Sequence, residues 1–394
     1  MYAVQVLALP LFAALPQVSQ QLIFRPTPSG TRKIILATNI AETSVTVPGI
    51  RYVIDSGKAK LKSFNSRLGF ETLLSKPVSK SAAIQRKGRA GREAPGKCYR
   101  LYTEGDFIQL QDSTTPEILR CDLAAAVLGL KARGVEDVFS FPLLDRPPRQ
   151  CVEEALLQLL QIGALHENGQ ISSIGQQIAK LPLSPFFGRT LIEAASPQFD
   201  CLNDMIDIIS CLNVENIFLN PTSEDAREEA TSARSNLVRR AGDHLTLLST
   251  LQAYQAESTD RRMWAQKHFV SYRAMQRVLD VRKQLRSLLG VSNANNIDNE
   301  TPASLTEARI RAIMHCLIQG FASQTAVLMP DGGYRTSIGK QNVAIHPSSV
   351  LFGRKAEAIV FTECVFTNRS YARGVSAVQL SWIENVLLDK DFAA

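Results

Sequence analysis

Two kinds of apolar pattern divide the chain. Up to about residue 110, short apolar runs are continuous rather than alternating. KIILA at 33–37 ends in Thr38 and Asn39, and YVI at 52–54 ends in Asp55, Ser56 and Gly57. Such runs suit strands buried on both faces of a parallel sheet, with helices in the stretches between them. Ligands on these sheets gather at the strand carboxyl ends, which is where Thr38, Asn39 and Asp55 fall. The segment 62–74, KSFNSRLGFETLL, has a turn-like centre between β-prone arms and predicts a hairpin leaving the sheet.

A proline-rich break, FPLLDRPP at 141–148, changes the pattern. Val152, Ala155, Leu156, Leu159 and Leu160 then recur at helical spacing. GALHENGQISSI at 163–174 predicts two short strands around an Asn-Gly turn. A helix followed by a small hairpin is a winged-helix pattern. Residues 188–290 are mostly helical, interrupted at NPTS (220–223), and the polar, Asn-rich stretch 289–304 reads as a linker. From 305 a helix begins. After Gln324 the chain turns β-rich, with DGGY at 331–334 supplying a turn and short strands continuing to Val378, which predicts a small β-barrel. Trp264 and Phe269 in the helical part read as core.

Composition narrows the class. The 394 residues are 45% hydrophobic and 21% charged, a globular composition too long for one ordinary domain. A formal net charge of +7 favours an anionic partner. Seven dispersed cysteines without a CxxC pair indicate reduced thiols inside the cell rather than a disulfide framework. Five histidines without ligand spacing imply no metal site of the chain's own. The apolar run VLALPLFAALP at 6–16 is broken by proline and too short to span a bilayer, so no membrane partner is expected. It lacks the basic segment of a signal peptide and reads as core.

One stretch works against its own helical pattern. SKSAAIQRKGRAGRE at 79–93 places Gly88 and Gly91 among four cations, Arg86, Lys87, Arg89 and Arg92. Each glycine costs a helix interior about 0.8–1 kcal/mol relative to alanine. On a continuous helix Gln85, Arg89 and Arg92 would share one face, with the glycines baring backbone beside it. A polyanion could approach such a face closely while guanidinium forks grip it. A solvated basic face or a localisation signal is the plainer alternative.

QRKGRAGR resembles motif VI of superfamily-two helicases in the form typical of the DEAH-box/RHA group. ATNIAETSVTV at 37–47 resembles motif V of the same group. The spacing between the two fits, as do the Asp55-Ser56-Gly57 strand end, KCYRLY at 97–102, PEILR at 116–120, GDHLTLL at 242–248 and IHPSSV at 345–350. The resemblance spans nearly the whole chain. It implies a multidomain fold: a partial α/β RecA-like second lobe (1–115), a winged helix (116–187), a ratchet-like helical bundle (188–304) and an OB-like β-barrel (305–394).

The resemblance also implies roles. Arg89 and Arg92 would be arginine fingers stabilising the transferring γ-phosphoryl group, and Gln85 would touch that phosphate or the attacking water. These three form the implied catalytic set. Ser44 would relay nucleotide state, and Phe24, in LIFRPTP at 22–28, would stack on the nucleotide base unless it is a core phenylalanine. Thr38 and Asn39 would hold an RNA phosphate. Arg67 in the hairpin and Arg373 in the barrel complete the implied RNA-binding set, and the hairpin would wedge at a duplex junction unless it is a plain surface hairpin. In the barrel, Lys340, His346, Arg354, Arg369, Tyr371 and Arg373 mix basic and aromatic character, as single-strand-binding OB folds do, or are scattered surface charge. His346 reads as a turn residue. Pro48 departs from the family pattern, where an aspartate is common, and removes a carboxylate contact to nucleotide.

The sequence contains no GxxxxGK[ST] phosphate loop and no Asp-Glu-Ala-His segment, both of which belong to the first RecA-like lobe. The expectation is therefore the C-terminal part of an ATP-dependent RNA helicase, inactive by itself. ATP would bind with Mg²⁺ held mainly by the other lobe. Implied partners are RNA and activator proteins of the G-patch type on the winged helix and barrel. The wording is most similar to nucleolar members that process ribosomal RNA, which implies the nucleus and nucleolus. The alternatives are a non-catalytic RNA- or partner-binding module and a scaffold for activators.

Overall fold

A computed structural model describes residues 5–12, 15, 17–65, 70–214, 216–221, 223–291, 305–366 and 369–391. The chain divides into two compact units, 1–63 with 73–120, and 64–72 with 121–394.

The first unit is α/β. In order it contains β1 (Gln5–Leu11), α1 (Gln17–Gln21), a short 3₁₀ turn (Leu22–Phe24), β2 (Thr31–Ala37), α2 (Ile40–Thr43), β3 (Tyr52–Asp55), β4 (Lys58–Asn65), β5 (Phe70–Pro77), α3 (Lys80–Gly88), β6 (Lys97–Arg100) and α4 (Glu104–Gln109). β1 and β2 pair in parallel, as do β3 and β6, while β4 and β5 form the expected hairpin sheet. The strands and their parallel pairing match the apolar runs. Burial on both faces does not. Leu36 is 66% exposed and Ile54 70% exposed. Alternate residues along β2 and β3 are the exposed ones, so one face of each pair has no covering layer among the described residues. The tip of the hairpin, with Arg67, lies outside the described residues.

The second unit begins with α5 (Ala124–Ala132), α6 (Arg149–Gln161), α7 (Ser173–Ile178) and α8 (Pro185–Ala194). Val152, Ala155 and Leu159 form the buried face of α6, as their spacing predicts. The expected wing is reduced to one antiparallel bridge, Leu165 to Ile171, with Gly169 at φ +76° taking the turn. Next come α9 (Leu202–Leu212), α10 (Glu224–Ala233), α11 (Asp243–Ala256), α12 (Arg261–Lys267), α13 (Tyr272–Leu288) and α14 (Glu307–Gly320). Side-chain caps fix several starts: Asp260 on α12, Ser271 on α13 and Thr306 on α14. Trp264, expected in the core, is half-buried and packs against its edge, on Tyr254 and His268. Most of the expected linker, 292–304, lies outside the described residues.

The barrel is closed, in the order β10-β11-β9-β8-β7: β7 (Thr325–Leu328), β8 (Tyr334–Thr336), β9 (Asn342–Ile345), β10 (Ala358–Phe366) and β11 (Ser370–Val378). A parallel β9–β11 pairing completes the ring. A final helix, α15 (Leu380–Asp391), was not expected from the pattern. It inserts Ile383 and Val386 into the core shared by α8, α9, α11, α14 and the barrel residues Ala358, Val360 and Val378. One apolar cluster thus joins the bundle to the barrel wall, beside separate clusters inside the barrel and around Tyr254 in the bundle.

Candidate functional site

The motif-bearing loops of the first unit are held by one arginine that the sequence reading gave no role. α3 starts at a Ser79 cap, whose hydroxyl accepts from the Ala82 amide at 3.2 Å. Two turns later Arg86 donates through Nε to Glu42 Oε2 at 3.0 Å and through Nη1 to Asp55 Oδ1 at 2.9 Å. The Asp55 side chain has no exposed surface. Its Oδ1 also accepts from the Gly57 amide, and its Oδ2 from the Tyr102 hydroxyl, each at 3.0 Å. Three donors, one of them charged, thus meet this buried carboxylate, as a buried charge requires. Burial tends to lower the Arg86 pKa, but the bonds to Asp55 and Glu42 outweigh it and raise it. Burial and the Asp55 carboxylate push the Tyr102 hydroxyl up to about 12. Asp55, placed by its strand-end position among chemically active residues, thus serves as an anchor. The signal for Arg86 was present: an arginine beside Gln85, a carboxylate at the end of β3 and another on α2.

Beyond Arg86 the backbone departs from expectation. α3 ends at Gly88, so Arg92 does not share a helical face with Gln85 and Arg89. The glycines, poor in helix propensity, let the chain turn, with Arg89 N–H donating to Arg86 O and Ala90 N–H to Lys87 O, both at 3.1 Å. That turn carries the two guanidinium groups onto the segment after β2. Arg89 donates to the carbonyl oxygens of Glu42 and Val45, and Arg92 to the Thr46 hydroxyl. Glu93 adds a fourth tie, accepting from the Gly49 amide at 2.9 Å. Burial first, then the Arg92 charge, lowers the Arg89 pKa. These partners are carbonyls and a hydroxyl, not carboxylates, so neither arginine's charge is neutralised by them. A Cβ built at Gly88 or Gly91 would meet nothing within 4 Å. Packing inside the chain therefore does not demand either glycine, and the backbone there is open to an approaching group.

The other site residues have definite places. Gln85 is exposed on α3, and Thr38 and Asn39 are exposed at the β2 end leading into α2. Ser44 is exposed at the C-cap of α2. Phe24 is 46% exposed, which excludes the core alternative. Its neighbour Ile23 is fully buried, and Lys33 on β2 ties down the flanking carbonyls, donating to Ile23 O at 2.9 Å and Arg25 O at 2.5 Å. The ring is thereby presented from a fixed turn. Pro48 is exposed beside Gly49, whose φ of +76° makes the bend after motif V.

In the barrel, Arg373 pairs across β10–β11 with Glu363 at 3.3 Å, so it is not an unpaired cation. Arg369 lies over the Tyr371 ring at 4.9 Å. His346 Nδ1 accepts from the Ser348 amide at 3.1 Å and meets its hydroxyl at 2.7 Å, the arrangement of a turn. Among the described residues no group of three or more histidine, cysteine or acidic side chains is placed to hold a metal ion. No described helix is long and apolar enough to cross a membrane.

Comparison with known families follows the same order along the chain. Residues 3–94 match the helicase conserved C-terminal domain. Residues 155–183 match the winged-helix part and 184–247 the ratchet-like part of the helicase associated domain. Residues 313–387 match an oligonucleotide/oligosaccharide-binding fold. The chain is 41% identical over 392 residues to a probable ATP-dependent RNA helicase, DHR2, of Saccharomyces cerevisiae, covering 96% of this chain and 53% of that protein. It is 39% identical to the human ATP-dependent RNA helicase DHX33, covering 96% and 52%. It is 38% identical to the Arabidopsis thaliana pre-mRNA-splicing factor ATP-dependent RNA helicase DEAH10, covering 97% and 54%. The chain spans about half the length of the curated relatives it matches.

Proposed function

We infer, for a chain that belongs to the DEAH-box family of RNA helicases by its domain series and its relatives, that it works as the C-terminal part of an ATP-dependent RNA-remodelling enzyme. The observation that carries this reading is the pair Arg89 and Arg92, two cations held on the motif V segment by neutral oxygens beside an open glycine backbone. When bound, ATP with Mg²⁺ supplies the phosphoryl group and its electrophilic activation, with the metal held mainly by the other RecA-like lobe. Arg89 and Arg92 place positive charge where negative charge develops on the transferring group. Gln85 orients the γ-phosphate or the attacking water, Ser44 relays the nucleotide state, and Phe24 offers a flat face to the base. Thr38, Asn39, Arg67 and Arg373 contact RNA, mainly at phosphate and sugar, so binding tolerates sequence. The winged helix and barrel receive activator proteins of the G-patch type.

The 394 residues alone, without a phosphate loop, do not turn over ATP. We assign the enzyme to ribosomal RNA processing in the nucleolus on its likeness to nucleolar members. The plant relative, a pre-mRNA-splicing factor by name, favours pre-mRNA splicing as the second pathway. The test is RNA-stimulated ATP hydrolysis by protein carrying both lobes. Arg89→Ala lowers kcat on the order of 10³-fold. Full turnover in that variant, or turnover by the isolated chain that Arg89→Ala abolishes, would contradict the reading.

A further inference from the structure

Far along the chain from the motif-bearing loops, the second unit contains a groove of about 740 Å³ between α14 and α15. Its walls are planar. Trp382 is half-buried on α15, and His315 on α14 stacks on Phe199 with centroids 4.5 Å apart and planes at 24°. Arg311, one helical turn before His315 and on the same face, is exposed and forms no ion pair among the described residues. Its guanidinium lies 5.8 Å from the Trp382 ring centroid. Behind this wall Glu193 is bound by Arg189 at 2.7 Å and meets His315 Nε2 at 3.9 Å. No described lining residue is acidic, and Gln379 and Asn385 bring amides to the rim.

We propose that this groove binds a nucleotide of single-stranded RNA, with the base against Trp382 and the phosphate at Arg311. An unpaired guanidinium in a groove without acidic lining selects an anion. Flat aromatic walls select a planar group, because every base has a π-face and stacks without regard to sequence. The amides can meet a base edge. A peptide would need an aromatic side chain and an adjacent carboxylate in the same few ångströms, whereas each nucleotide joins a ring to an anion in one unit. The polymeric form of the ligand rests on the RNA reading above. The site itself shares no residue with the nucleotide and RNA set of the first unit.

The chain has two tryptophans, so its indole N–H region of a ¹⁵N–¹H spectrum has two side-chain signals, and Trp382→Phe assigns them. Adenosine monophosphate and a short single-stranded oligoadenylate are titrated into the full chain. The Trp382 signal moves saturably, at lower concentration with the oligonucleotide than with the mononucleotide, while the Trp264 signal stays. Arg311→Glu, an exposed change that leaves the core untouched, weakens both responses about tenfold. A response to the mononucleotide alone would reject the RNA form. A Trp382 signal unmoved by either ligand, or moved equally in Arg311→Glu, overturns the proposal. So does a response to an acidic aromatic peptide with none to the oligonucleotide, which would assign the groove to a protein. Because the readout is local to Trp382, loss of ATP chemistry in Arg89→Ala leaves it unchanged and keeps the two failures distinct.

Discussion

A buried histidine makes the second unit sensitive to acid. His244 opens α11 and has no exposed surface. Its Nδ1 meets the Ser376 hydroxyl on β11 at 2.7 Å, and its Nε2 has no hydrogen-bond partner. A neutral ring with its proton on Nδ1 suits this site, leaving only a lone pair unmet. A charged ring would bury an unpaired N–H and a charge together. Burial accordingly pushes the pKa down to about 4 from the usual 6.5. The sign follows: the unfolded chain binds the proton more readily, so the stabilisation is full above the unfolded value and is lost as pH falls through the folded one. Linkage puts the loss at about 2 kcal/mol between about pH 7 and about pH 5, and about 3 kcal/mol by about pH 4. His244→Asn keeps a donor near the Nδ1 position and cannot titrate. It costs about 1–2 kcal/mol at neutral pH through lost volume, and the gap to the unsubstituted chain narrows by about 2 kcal/mol on acidification. Two units make a single unfolding free energy ill-defined. The measurement is therefore hydrogen exchange of peptides from α11 and β11 in urea at each pH. Parallel pH slopes for the two proteins would refute the reasoning.

Arg86→Met should destabilise the first unit by about 3 kcal/mol, the low end for breaking a buried pair, because Asp55 keeps its bonds to Gly57 and Tyr102. Faster exchange in the peptides spanning 37–60 and 80–102 checks it, and unchanged protection refutes it. Gly242→Ala should cost about 3 kcal/mol or more: φ is +137° and the new Cβ would lie 2.4 Å from the Ser376 Cα. A thermal transition of the second unit that does not move would contradict this. Phe24→Ala, at an exposed position, should leave stability within about 0.5 kcal/mol while weakening nucleotide binding by protein carrying both lobes. Equal binding, measured by titration with a fluorescent nucleotide, would remove Phe24 from the site.

The pattern of apolar residues carried the element types well where burial is local. The α6 face, the closed barrel and the parallel strands all follow from period and turn chemistry. The both-face burial of β2 and β3 did not follow, because a continuous apolar run reports what a strand can bury and not which neighbours are present to bury it. The expected single face of Gln85, Arg89 and Arg92 failed for a related reason: helical geometry was extended through Gly88, where propensity is weakest. The motifs located the candidate site, but its anchor escaped notice. Arg86 and Glu42 lie inside the two motifs among other charged residues, and only three-dimensional pairing separates a cation that grips Asp55 from one that faces outward. α15 was invisible for want of a clean apolar stripe. Its buried side chains, Ile383 and Val386, are few, and the rest of the helix is mixed.

The division of labour among the three arginines bears on how nucleotide could be sensed. Arg86 has two carboxylate partners, and replacing them would leave buried charge, so it is fixed. Arg89 and Arg92 hold only carbonyl and hydroxyl oxygens. Bonds from a charged donor to such acceptors contribute about 1.5–3 kcal/mol each, an amount that a multiply charged phosphate can outcompete with bidentate contacts. The same oxygens belong to Glu42, Val45 and Thr46, within the segment that follows β2. Withdrawal of the guanidinium groups toward phosphate would therefore strip donors from that segment at the moment of nucleotide contact. Glu93 would still hold Gly49, and Arg86 would still hold Glu42. The segment between Glu42 and Gly49 is thus pinned at both ends and released in the middle, so a local change there would be confined to the stretch that carries Ser44 and would leave the lobe folded.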